Sequence, residues 1–77
     1  MQIKEKVKKF LGEYVNIKEV KDTDNIFETG LVNSLFAMNL VTFVEREFEV
    51  AIENSDLDMK NFKDINSITE FVERKLA

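Results

Sequence analysis

The strongest candidate for chemistry in this sequence is a primary hydroxyl, that of Ser34. The 77 residues contain no cysteine and no histidine. That excludes disulfide staples, zinc sites built on Cys or His, and Cys/His nucleophilic catalysis. Glu45 and Glu49 lie at i, i+4 on an acidic helix face and read as solvated charge, not as an acid–base pair. Asp22 and Asp24 open like a calcium loop, but Phe27 stands where the loop needs glycine and Asn33 where it needs glutamate. Asp56 and Asp58 fail in the same way, with Asn61 at the glycine position. Ser34 lies in Gly30-Leu31-Val32-Asn33-Ser34-Leu35, where an acidic loop gives way to a long apolar helix. No base stands near it in the sequence, so its hydroxyl needs activation from outside. Taken alone, a serine at a helix start is most simply a cap.

Charge is placed unevenly around that serine. Residues 29–44 carry none, in a chain where 34% of residues are charged. Residues 1–21 balance to +3 and residues 22–77 to −7. The acidic body disfavours nucleic acid and favours basic partner surfaces. The uncharged segment is shorter than the roughly 20 residues a bilayer span needs, and no signal peptide is visible. The expectation is a soluble, cytoplasmic monomer with no nucleic-acid or membrane partner, folded as one domain over residues 1–77.

Apolar spacing is helical nearly throughout. Ile3, Val7, Phe10, Leu11, Tyr14 and Val15 follow the amphipathic pattern, with Lys4, Lys6, Lys8, Lys9 and Glu13 on a solvated opposite face. Gly12 falls inside this helix and marks a close approach between helices. Turn formers fill residues 16–33, a long connection with Ile26 and Phe27 as anchors in the core. A second helix is expected over 34–50, capped by Asn33 or Ser34, burying Ala37, Leu40, Val41, Val44 and Phe48, with Phe43 near that edge. Asn54, Ser55 and Asp56 mark a break, and Leu57, Met59 and Phe62 a short helical piece. The last helix is expected from Asn66 or Ser67, on a capping box of Ser67 and Glu70, with Ile68, Phe71, Val72 and Leu76 as its stripe. Only residues 48–52 offer any hint of a strand. The fold class is all-α, a small four-helix bundle with three main helices, a short third one and a long first loop.

This order, together with Asp24-Asn25-Ile26-Phe27-Glu28-Thr29-Gly30-Leu31-Val32-Asn33-Ser34-Leu35 and Glu45-Arg46-Glu47-Phe48, resembles the acyl carrier proteins over nearly the whole chain. The resemblance implies that Ser34 carries covalent 4′-phosphopantetheine, attached by a phosphopantetheinyl transferase. It further implies a non-catalytic carrier that hands a thioester-linked acyl or aminoacyl group from a loading enzyme to acyltransferase or synthase modules. A phosphodiester there would meet the free amides and positive dipole of a helix N-terminus.

Many carriers of the fatty-acid type have Asp-Ser-Leu followed by further acids. Here Asn33 precedes the serine, and acidity resumes only at Glu45. Leu35, Met38, Thr42 and Glu45 share a helical stripe beside Ser34 and, with Asn33, form the expected partner surface. Leu35 and Met38 are expected to be exposed, and Phe36 is left open between core and partner face. The pattern looks closer to freestanding carriers of polyketide and nonribosomal peptide pathways, including those holding an unusual malonyl-type extender unit. A D-alanyl carrier for teichoic acid and a fatty-acid carrier are alternatives within the same chemistry. A small helical adaptor without a cofactor is the alternative outside it.

Overall fold

The computed structural model describes residues 3–27 and 34–77, without the side chains of Ser34 and Met59. Among these residues four α-helices follow in order: α1 (Ile3–Leu11), α2 (Ser34–Phe48), α3 (Met59–Phe62) and α4 (Ile65–Leu76). Short 3-10 turns lie at Ile17–Glu19 and Asn54–Asp56. There is no strand among the described residues, so the hint at 48–52 is not realised. The all-helical bundle expected from the apolar spacing is the observed architecture.

α4 is the hub and packs against α1, α2 and α3. It buries Ile65, Ile68, Phe71 and Val72 against Val7 and Leu11 of α1 and Leu40, Val44 and Phe48 of α2, in one continuous core. Leu76, expected on the buried stripe, is exposed in the last turn. Neither α1 nor α3 is long enough to persist alone in water, so this shared burial holds them.

α1 ends earlier than its apolar pattern. Gly12 donates its N–H to the Lys8 carbonyl at 2.8 Å and stands just past the helix rather than inside it. A Cβ there would sit 3.3 Å from the Lys8 carbonyl oxygen and 3.5 Å from Ile17 Cγ2, so the close approach is to the first 3-10 turn, not to another helix. Tyr14, expected on the buried face, is 51% exposed.

The long connection is stitched to the bundle through its backbone. Ile26 is buried and donates its N–H to the Lys63 carbonyl at 2.8 Å, while the Asp22 carbonyl accepts from the Asn66 N–H at 3.1 Å. Phe27 is only partly buried. Asp22 also receives Lys4 at 3.3 Å and Lys8 at 3.1 Å, so these two lysines are not the solvated face expected of them. The Lys8 contact first, then Lys4, holds the Asp22 carboxyl below its ordinary range. Lys6 likewise reaches Glu47 of α2, at 3.8 Å.

α4 starts at Ile65, not at Asn66 or Ser67. The cap is Asp64, extended at φ −148°, whose carboxylate accepts from the Ser67 N–H at 2.7 Å. The Ser67–Glu70 capping box therefore does not form the helix start. Asp58 caps α3 through the Lys60 N–H at 3.0 Å. Asp56 accepts from the Glu53 N–H and pairs with Lys75 at 2.6 Å; the Lys75 contact leads in lowering its pKa.

Candidate functional site

Ser34 is the first residue of α2, so its backbone stands where a helix presents amides without intrahelical acceptors. The first turn of α2 contains no acidic residue, so no carboxylate of that turn opposes an anion there. Asn33 and Gly30 lie outside the described residues.

α2 has apolar residues on two faces. Phe36, Leu40, Val44 and Phe48, four residues apart, are buried. The question left open for Phe36 is settled as core: its ring packs edge-on to Tyr14 at 4.9 Å and tilts against Phe10 at 5.8 Å. Ala37, Val41 and Phe43 are half-buried, at the border of the core face rather than within it. The opposite face brings Leu35, Met38, Thr42 and Glu45 together, all exposed. Leu35 and Met38 are each 70% exposed, the highest among the described large apolar residues. Large apolar side chains held this far into water beside a neutral helix start form a patch suited to contact with other proteins. Glu45 is partly committed, since its carboxylate accepts from the Ile52 N–H at 3.3 Å.

A cavity of about 150 Å³ opens one turn along from Ser34, between α2 and α3. Phe27, Ala37, Val41, Leu57 and Phe62 line it, with Asp58 at its edge. Sequence reasoning missed it, although the small Ala37 between larger residues was the available signal. No group of three or more acidic residues is arranged to hold a metal ion among the described residues. No helix among them is long and apolar enough to cross a membrane.

A family model described as the phosphopantetheine attachment site matches residues 2–72. The chain belongs to that family. No curated protein matches the chain significantly. Membership in the phosphopantetheine attachment family implies a covalently bound 4′-phosphopantetheine and a carrier role, with a transferase and acyl-handling enzymes as partners. The residues present fit such a group: a helix start free of acids suits a phosphodiester, and exposed apolar side chains adjoin it.

Proposed function

We propose that the chain is a carrier whose arm is attached to Ser34, and that Leu35, Met38, Thr42 and Glu45, with Asn33, meet the enzymes that modify, load and unload it. The observation that carries this reading is the place of Ser34 as first residue of α2 in a chain matched by the attachment family. When bound, 4′-phosphopantetheine supplies the thiol that this cysteine-free chain lacks, and an acyl or aminoacyl cargo rides on it as a thioester. The chain's own residues do the rest. The first turn of α2 receives the phosphodiester with amide donors and the positive end of the dipole. Leu35 and Met38 give partners an apolar surface, and the cavity between α2 and α3 offers shelter from water to an apolar group.

The pathway we favour is polyketide or nonribosomal peptide synthesis, with an acyl unit such as a substituted malonyl group. What supports it is Asn33 where fatty-acid-type carriers place aspartate, and a helix that carries no acid after Leu35 until Glu45. A D-alanyl or fatty-acid carrier uses the same attachment chemistry, and the loading enzyme that accepts the chain distinguishes them. The test of the carrier reading is coexpression with a phosphopantetheinyl transferase followed by intact-mass measurement. A gain of one arm, abolished by Ser34→Ala, is expected. A chain left unmodified by several transferases would show an adaptor without a cofactor.

A further inference from the structure

A second concave surface lies between α1 and the outer edge of α2, lined by Phe10, Tyr14, Asn39, Thr42, Phe43 and Arg46. It is separate from the α2–α3 cavity and shares no residue with it. Its floor is aromatic: Phe10 stacks on Phe43 with centroids 4.3 Å apart, and Tyr14 tilts against Phe10 at 5.2 Å. Tyr14 covers the core residue Phe36 with one edge of its ring and is half exposed, in a turn past the end of α1.

Two carboxylates near this groove have contacts of their own. Glu47, which also lines the groove, pairs with Lys6 at 3.8 Å. Glu45 accepts from the Ile52 N–H. Arg46 is the one basic residue of α2, and it has no ion-pair partner among the described residues. On a chain of net charge −4, the groove thus joins an aromatic floor to an uncommitted guanidinium. Its complement is an apolar side chain with a carboxylate beside it.

We propose that this groove docks a protein partner through an apolar or aromatic side chain flanked by an acidic residue, with Arg46 selecting the acid. The sign is opposite to the basic surface that the acidic body as a whole attracts, so Arg46 discriminates among partners that the net charge alone would admit.

The test is a ¹H–¹⁵N NMR titration of the full chain with two capped pentapeptides. Both contain a Phe-Leu pair, preceded by aspartate in one and by lysine in the other. The aspartate peptide is expected to shift the amides of Tyr14, Asn39, Phe43 and Arg46 and to bind about fivefold more tightly, the size of a solvent-exposed ion pair. Arg46→Gln removes the preference, Arg46→Lys keeps most of it, and Tyr14→Ala weakens both peptides alike. Equal or tighter binding of the lysine peptide overturns the proposal. So do shifts confined to the α2–α3 cavity, or no binding at millimolar peptide. Groove signals that move on dilution of the chain alone would place a second copy there instead, which also overturns it. No transferase takes part, so this outcome is separate from the intact-mass test of the carrier reading.

Discussion

At the scale of single residues, the proposed site lies where charge is missing, in residues 29–44. Met38 is 70% exposed, so Met38→Glu should change stability by no more than about 0.5 kcal/mol. It should nevertheless slow transfer to and from the acyl-handling enzymes proposed to meet this face, because a carboxylate replaces an apolar contact. Unchanged transfer rates with an unchanged melting temperature would show that the patch is irrelevant. A helix beginning at Ser34 and the outward Leu35 and Met38 were legible in the sequence, through turn formers and a helical period. Phe36 was not, because its burial is decided by Tyr14 and Phe10, which belong to another segment. Arg46 was equally hidden: only the engagement of Glu45 and Glu47 elsewhere makes it stand out.

At the scale of elements, helix existence was readable and helix ends were not. The α4 start shows why. Ser67 and Glu70 have the spacing of a capping box, but the Lys63 carbonyl is taken by the Ile26 N–H and the Asn66 N–H by the Asp22 carbonyl. Those tertiary bonds fix the backbone before Ile65 and leave the cap to Asp64, a choice local sequence cannot reveal. The end of α2 carries a different lesson. Glu49 terminates it at φ 53°, in the left-handed region that costs a residue with a Cβ about 1–2 kcal/mol. Glu49→Gly relieves that cost but gains unfolded-chain entropy, for a net stabilisation of about 0.5–1 kcal/mol. Thermal denaturation should show a rise of a few degrees; a fall in melting temperature would mean that the Glu49 side chain contributes more than its backbone costs.

For the whole molecule, the long connection is held to the bundle by Asp22 between Lys4 and Lys8. Two lysines one turn apart, with an aspartate in the following connection, were the sequence signal, and reading them as solvated missed it. Because folding lowers the Asp22 pKa, its contribution is present above the ordinary value of 3.8 and is lost as pH falls through the lowered one. The pair is about one-third exposed, so Asp22→Asn should cost no more than about 1 kcal/mol at pH 7. The gap in melting temperature between the two proteins should close below the ordinary aspartate range; a gap unchanged at pH 2 would assign the effect to something other than charge. What this scaffold presents is α2, and the central claim is that Ser34 at its head is the attachment point. Trypsin cuts after Lys21 and Arg46, so peptide 22–46 holds Ser34 alone among the serines, while Ser55 and Ser67 fall in other peptides. Fragmentation mass spectrometry of the transferase-treated chain should find the arm on that peptide and localise it to Ser34. An arm on a peptide bearing Ser55 or Ser67, or on a threonine of 22–46, would contradict the account.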